Sequence, residues 1–347
     1  MRALLVHQPG EAECLQVGEI PAPGARPGHV VVRVEAAGVN PVDASNRADP
    51  TWAAIDPPYV VGYELAGVVD ARGEGVSSVG IGDPVWGLLP VRGTRWGAYA
   101  ELVEMREEWV ARRPPALDAV EAAAIPLAGS TALQLLDRLG LSEGDSLLVH
   151  GAAGGVGSLL VQLAAMQGIR VAGSASRARR ELLGALGVEV ILDREDAGLL
   201  AVATERLGGP LDAVADLVGQ GLLARSLPSI REGGGAASII ELTGDYKEAV
   251  DRNITLHGVL VRPSAGTLDR LAAAVDGGAL RPIVDQVVEP GSIAAAHRRL
   301  ETGHGQGKLV LRIAGERSRR SAFPAAAGST GRLTNLSPPP NINRSVE

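Results

Sequence analysis

The sequence predicts an α/β protein in which a β-rich part precedes a doubly wound parallel sheet. Three observations carry that expectation. The first third alternates short apolar, β-branched runs with Pro and Gly turns. The middle alternates such runs with stretches of helical periodicity. A glycine-rich turn, Gly151–Gly157, joins the first strand of that middle region to the helix after it. Strands alternating with helices of this length indicate βαβ units.

In order along the chain, Ala3–His7, Val30–Ala36 and Val60–Val69 read as strands, punctuated by Pro21-Ala22-Pro23-Gly24 and Pro57-Pro58. Ala119–Leu139 has apolar residues at helical spacing. Ser146–His150, Arg170–Gly173 and Val188–Leu192 are expected as strands, with helices at Ser158–Gln167 and Arg177–Leu186 between them. Further strands are expected at Ala213–Val218, Ala237–Leu242 and Thr255–Val261. Helices at Leu268–Val275 and Ile293–Glu301, with strands at Ile283–Val288 and Lys308–Ile313, complete the ordered pattern. Residues 316–347, rich in Ser, Arg, Pro and Asn, read as a disordered tail or a reading-frame artefact.

Composition excludes several classes. The 347 residues are 46% hydrophobic and 21% charged, the balance of a globular protein, and their length fits two domains. A formal charge of −7 argues against nucleic acid as a partner. Met1–Gly10 is too short and too soon polar for a signal peptide, and no apolar run reaches the roughly 18–20 residues of a membrane span. A cytoplasmic location is the expectation. A single cysteine, Cys14, excludes an internal disulfide and a Cys-rich zinc site.

The glycine turn is the strongest motif. Gly151, Gly154 and Gly157 permit a sharp turn, close approach of a pyrophosphate, and tight packing of helix on strand. The helix N-terminus then presents free N–H groups and partial positive charge to the anion. Ala153 stands where a strict G-x-G-x-x-G has its second glycine, and a tight turn in any α/β protein is the blander alternative. The strand before and the helix after favour a dinucleotide.

The end of the second strand of this unit selects the dinucleotide. An NAD site places a carboxylate there. Here Ser174, Ser176, Arg177, Arg179 and Arg180 follow instead. Arginines in the first turn of a helix oppose its dipole by roughly 0.3–1 kcal/mol each, and a 2′-phosphate removes that conflict through bidentate pairing. NADPH is therefore expected over NADH. Arg177 and Arg180 are the expected contacts, and Arg179 is expected to point elsewhere.

From Met1 to about Ala314 the chain resembles the zinc-independent quinone oxidoreductase branch of the medium-chain dehydrogenase/reductase superfamily. The segments that carry the resemblance are Ala36–Asp43, Val61–Val69, Gly80–Val85, Gly97–Glu101, Ala122–Leu127, Thr131-Ala132, the glycine turn, Asp216–Gly219 and Gly307–Leu311. It implies a GroES-like catalytic domain from residues 1–122 and 264–315, around an inserted Rossmann NADP-binding domain at 123–263, with the active site between them. It also implies a homodimer, formed through an edge strand near Thr255–Val261, acting on a small molecule. The cofactor-binding residues it implies are Thr131, Gly151, Ala153, Gly154, Gly155, Val156, Ser174, Ser176, Arg177, Arg180, Val218 and Lys308.

Zinc-dependent relatives have Cys where this chain has Asn40 and His where it has Tyr63, so neither a catalytic nor a structural zinc is expected. Without zinc to lower the pKa of an alcohol, the resemblance implies hydride transfer to a conjugated carbonyl: a quinone or an α,β-unsaturated ketone or aldehyde. Reduction of an enoyl thioester and a non-catalytic NADPH-binding regulatory role are the alternatives. Asn40, Tyr63 and Thr131 are the expected catalytic residues. Each also has a structural reading: a turn residue before Pro41, a buried tyrosine and a helix-interior threonine. Several relatives carry a Tyr, a suspected proton donor, where this chain has Ser45. Asp43 is expected to cap a helix at Ala44–Arg47, Glu64 to be structural, and His150 to be a core histidine near the cofactor. His7, His29, His257, His297 and His304 show no ligand spacing.

Overall fold

A computed structural model describes residues 1–303 and 305–313. The expected tail and His304 lie outside the described residues.

The middle of the chain forms a six-stranded, all-parallel sheet. Its order is Val190–Asp193, Arg170–Ala175, Ser146–His150, Leu211–Asp216, Ile230–Ser238, Thr255–Gly258. The first strand in sequence sits inside, and the chain winds outward both ways from it. That order puts a crevice at the carboxyl ends of Ser146–His150 and Leu211–Asp216. These two strands are buried almost throughout, as a sheet covered on both faces requires.

The flanking sequence forms a mainly antiparallel seven-stranded sheet. His29–Val39 pairs with Glu64–Arg72, Leu102–Arg106 and Lys308–Arg312, so segments from either side of the parallel sheet in sequence meet in it. Pro84–Leu88 and Val110–Arg112 extend one side, and Val284–Val288 the other. Arg2–Val6 and Leu15–Glu19 make a separate hairpin. Its core is built from Val, Leu and Ala around Tyr59, Tyr63 and Tyr99.

Several expected elements differ from those observed. The single helix expected at Ala119–Leu139 is two: Ala119–Ala123, capped reciprocally by Asp118 and Glu121, and Pro126–Leu139. The break falls before Pro126, which has no N–H with which to continue the hydrogen-bond ladder of the first helix. Gly140, left-handed at φ 61°, ends the second helix. The arginine segment begins as a 3-10 turn, Arg177–Arg179, and becomes α-helical only at Arg180–Ala185. The strand expected at Ala237–Leu242 is Ile230–Ser238. Its glycines 233–235 hid the first half, and the chain leaves the sheet with Ile240 and Leu242 exposed. Asp43 is not an N-cap: the helix is Pro41–Ala48, Asn40 is its cap, and Asp43 occupies the third helical position.

Candidate active site

The glycine turn is built as its residue types require. Gly151 has φ +79°, a conformation glycine adopts without a Cβ penalty. A Cβ on Gly157 would lie 2.2 Å from the Gly151 carbonyl oxygen, so only glycine lets the helix Gly155–Met166 sit this close to the strand before it. A Cβ on Gly154 would meet nothing nearer than 3.4 Å, leaving that backbone approachable. Gly155 and Val156 open the helix, and Ala153 is buried beneath the turn.

The other sheet closes on this turn. Gly307 donates its N–H to the Ala153 carbonyl at 3.0 Å, and Gly154 and Gly307 form an isolated β-bridge. The next residue, Lys308, therefore reaches in beside the turn: a Cβ on Gly155 would lie 2.9 Å from Lys308 Cδ.

Strand register then gathers three polar side chains from distant sequence. Leu309 pairs with Val39, which brings Lys308 opposite Asn40. Leu65 pairs with Ala37, which brings Glu64 opposite Gly38, where a Cβ would collide with Glu64 Oε1 at 2.1 Å. Lys308 Nζ donates to Glu64 Oε1 at 2.7 Å and to Asn40 Oδ1. Asn40 Nδ2 donates to the same Glu64 oxygen at 2.8 Å. Glu64 Oε2 accepts the Leu127 N–H at 2.6 Å, from the first turn of the helix Pro126–Leu139, so its charge is balanced by an ammonium and a helix N-terminus. Glu64 is fully buried and Lys308 is 4% exposed. An ammonium has three donors, and two are used.

Thr131, one turn along that helix from Leu127, is 5% exposed and donates its hydroxyl to the Leu127 carbonyl at 2.7 Å. It lies on the same helix that donates to Glu64. Tyr63 is fully buried; its hydroxyl accepts from Asn46 Nδ2 at 2.7 Å, and burial raises its pKa far above the usual phenol value. The structure thus brings Asn40, Lys308 and the helix of Thr131 together through Glu64, while Tyr63 turns toward Asn46.

The remaining expected residues lie at or just beyond the carboxyl ends of the strands Arg170–Ala175 and Leu211–Asp216. Val218 is exposed and faces the turn: its Cγ2 would be 2.9 Å from a Cβ on Gly151. Asp216 holds that loop in shape by accepting the N–H groups of Val218 and Gly219, both at 2.9 Å. Ser174 is buried and its hydroxyl engages His150 Nδ1 at 3.2 Å, while His150 Nε2 engages Ser226 at 2.9 Å. Desolvation lowers the His150 pKa, which keeps it a neutral core histidine as expected. Ser176 is the N-cap of the arginine turn. Arg177 is exposed and paired with Asp193, at the end of the next strand, and Arg180 is exposed. Arg179, half-buried, bonds to Gln306, the neighbour of Gly307.

Sequence reasoning gave Glu64 only a structural role. A carboxylate heading an otherwise apolar strand, and a lysine heading another, were the available signal, since each needs a partner once buried.

Comparison with known proteins follows this geometry. Residues 26–115 match the family model described as alcohol dehydrogenase GroES-like domain, and residues 186–311 the one described as zinc-binding dehydrogenase. The chain is 33% identical over 312 residues to a 2-methylene-furan-3-one reductase of Solanum lycopersicum, covering 87% of this chain and 76% of the relative. It is 32% identical to a chloroplastic NADPH-dependent alkenal/one oxidoreductase of Arabidopsis thaliana, covering 90% and 79%. Among solved structures, the quinone oxidoreductase of Coxiella burnetii superposes with a TM-score of 0.83 at 32% identity, covering 90% and 99%. The chain belongs to the medium-chain dehydrogenase/reductase superfamily, in its quinone and alkenal/one oxidoreductase branch. It is an oxidoreductase.

The zinc in one family description does not fit these residues. The Asn40 amide is engaged on both its nitrogen and its oxygen, the Tyr63 hydroxyl is held by Asn46, and Cys14 is the sole cysteine. Among the described residues, no group of three or more His, Cys, Asp or Glu side chains is placed to hold a metal ion. Nor, among them, is any helix long and apolar enough to cross a membrane.

Proposed function

We propose that this chain is a zinc-independent, NADPH-dependent reductase of small conjugated carbonyls, quinones or α,β-unsaturated ketones and aldehydes. The observation that carries the reading is the buried Asn40–Glu64–Lys308 cluster, set beside the glycine turn by the Gly154–Gly307 bridge. The backbone N–H groups at Gly155 and Val156 receive the pyrophosphate at a helix N-terminus, while the Gly154 N–H closes the turn onto the Gly151 carbonyl at 3.1 Å. Arg177, Arg179 and Arg180, with Ser174 and Ser176, form the surround of the 2′-phosphate. Val218 and Thr131 flank the nicotinamide. NADPH supplies the hydride.

The chain's own contribution is electrostatic and positional. Reduction of an enone puts negative charge on the carbonyl oxygen as the β-carbon gains hydride. Lys308 holds an unused N–H donor, and Glu64 and Asn40 fix its ammonium in place. A fixed cation in a water-poor site stabilises that charge more than one in solvent does. Lys308 is also the group placed to give up a proton to the substrate.

The reading extends to a cytoplasmic homodimer joined through the edge strand Thr255–Gly258. It divides the chain into a catalytic part, 1–122 with 264–315, around a nucleotide-binding part, 123–263. The helix Ala265–Asp276 leans on the latter, its Leu268 and Leu271 buried in the same core as the helix Pro126–Leu139.

The test is a steady-state NADPH-oxidation screen against 1,4-benzoquinone, a simple enone and crotonyl-CoA. Saturable turnover of the quinone or the enone is expected. Turnover of crotonyl-CoA alone contradicts the substrate class, and tight NADPH binding without turnover contradicts the enzyme.

A further inference from the structure

Behind the cluster, the catalytic domain buries a second set of polar groups that the chemistry above does not use. Asp43 Oδ2 accepts the Asn40 backbone N–H at 2.7 Å and the Tyr99 hydroxyl at 2.9 Å. On its other side the Tyr99 hydroxyl meets His297 Nε2 at 3.3 Å. His297 stands one helical turn before Glu301 on the helix Ile293–Glu301, so the two share a face. Arg47 Nη2 donates to Glu301 at 2.6 Å. Asp43, Tyr99 and His297 are fully buried and Arg47 is 2% exposed, whereas the Glu301 side chain is 40% exposed. Glu301 lines a surface pocket of about 280 Å³ with Pro41, Ala44, Ser45, Ala48 and Leu300.

Four polar atoms of this set have no hydrogen-bond partner among the described residues: Asp43 Oδ1, His297 Nδ1, and Arg47 Nε and Nη1. Buried unsatisfied polar atoms are uncommon and costly, and a group of them marks a functional or solvent-binding site. Asp43 ends the string beside Asn40 of the active-site cluster, and His297 ends it on the helix that carries Glu301.

We propose that Asp43, Tyr99 and His297 form a buried proton relay from the Arg47–Glu301 surface to the active-site cluster. It supplies the proton that each reduction consumes, and so rests on the reductase reading. The hydride forms the new C–H bond at the β-carbon with its own electron pair, the C=C π pair moves into the enolate, and the α-carbon takes a proton from the Lys308 ammonium, which becomes a neutral amine. The carboxylic acid of Asp43 reprotonates Lys308 through a water held at its unpartnered Oδ1. Tyr99 passes its hydroxyl proton to the Asp43 carboxylate and takes the Nε2 proton of His297; Nδ1 then takes a proton delivered by water from the Arg47–Glu301 side, and return of the ring to its Nε2–H tautomer resets the string. One proton leaves solvent for each hydride transferred.

The charge environment suits these roles. Burial pushes Asp43 up to about 7, against the opposing hydrogen bonds from Asn40 and Tyr99 and the nearby Lys308; Glu64 pushes it the same way as burial. Asp43 can therefore carry or release a proton near neutrality. His297 is pushed down to about 4 by burial and by Arg47, so it is a neutral ring, with one nitrogen to receive and one to give. Tyr63 and Glu64 are the other titratable groups around Asp43 and Tyr99. Ser45, exposed and donating to the Pro41 carbonyl, stands at the pocket outside the relay.

Tyr99→Phe tests the relay, because it removes one hydroxyl and keeps the ring. With the substrate the wild type turns over best, kcat is expected to fall at least tenfold while the Kd for NADPH changes less than twofold. The solvent deuterium isotope effect on kcat is expected to rise, and added imidazole to restore part of the rate. His297→Gln, which leaves the Asp43–Tyr99 bond intact, is expected to behave alike and serves if the first variant does not fold. Variants within twofold of wild-type kcat, or losing rate without a solvent isotope effect or rescue, overturn the relay while leaving the reductase reading intact. A wild type that oxidises no NADPH with any substrate overturns both.

Discussion

The Lys308 ammonium lies 2.7 Å from the Glu64 carboxylate, and both side chains are withdrawn from solvent, 4% and 0% exposed. Their chain positions are 244 residues apart, so the pair ties the end of the fold to its beginning at the glycine turn. A buried pair of this kind is costly to break from one side, because the survivor keeps its charge. Glu64→Gln and Lys308→Met are each expected to lose about 3–5 kcal/mol of stability in urea unfolding. The double variant is expected to lose less than their sum, with a coupling of about 1–3 kcal/mol. Additive losses contradict the pairing.

Gly157 carries a second prediction. Its missing Cβ faces two backbone groups, the Gly151 carbonyl at 2.2 Å and Ala152 at 2.8 Å. Neither yields as a flexible side chain does. Gly157→Ala is expected to cost about 1–3 kcal/mol, as overpacking does. It should also weaken NADPH binding at least tenfold, read by quenching of protein fluorescence. Gly154→Ala, where the space is open, is expected to keep stability and lose only cofactor affinity.

The proposed 2′-phosphate surround places coenzyme choice on Arg177, Arg179 and Arg180. Each arginine that meets the 2′-phosphate is expected to contribute about tenfold, or 1.4 kcal/mol. Single alanine variants, titrated calorimetrically, should therefore weaken NADPH and leave NADH unchanged. Arg179→Ala should act as strongly as Arg177→Ala, since Arg179 is held by Gln306 beside the bridged glycines and Arg177 is shared with Asp193. Equal losses for both coenzymes contradict the assignment.

The two shifted groups of the relay act on stability in opposite directions. His297 has its folded pKa lowered to about 4. The unfolded chain binds the proton first, so its burial costs stability as pH falls from 6.5 to 4. Asp43 has its folded pKa raised to about 7. The folded chain binds that proton first, so stability is regained as pH falls from 7 toward 4. Near pH 5.5 the slopes largely cancel. His297→Gln removes one of them, so the variant should gain about 3 kcal/mol relative to wild type between pH 7 and 4. Parallel pH curves for the two proteins contradict these shifts.

Much of the fold was legible because local rules set it. The parallel sheet follows from strand–helix alternation, and the glycine turn from its residue types. The site was legible only in part. Asn40 and Lys308 were singled out, but Glu64, which joins them, was given no chemical role, since strand register alone brings position 64 between positions 40 and 308. Asp43, Tyr99 and His297 were obscured for the same reason: Tyr99 and His297 are 198 residues apart, and no local pattern links them. The Arg179–Gln306 bond was not legible, because the segment starts as a 3-10 turn, which rotates its side chains away from α-helical spacing.

The most direct trial of the central claim follows absorbance at 340 nm, with protein dialysed against a chelator and supplied with NADPH and a small enone or quinone. The account predicts saturable oxidation of NADPH that metal removal leaves unchanged, NADH serving poorly, and loss of most of the rate in Lys308→Met. Activity abolished by the chelator and restored by zinc, or full activity in Lys308→Met, contradicts it.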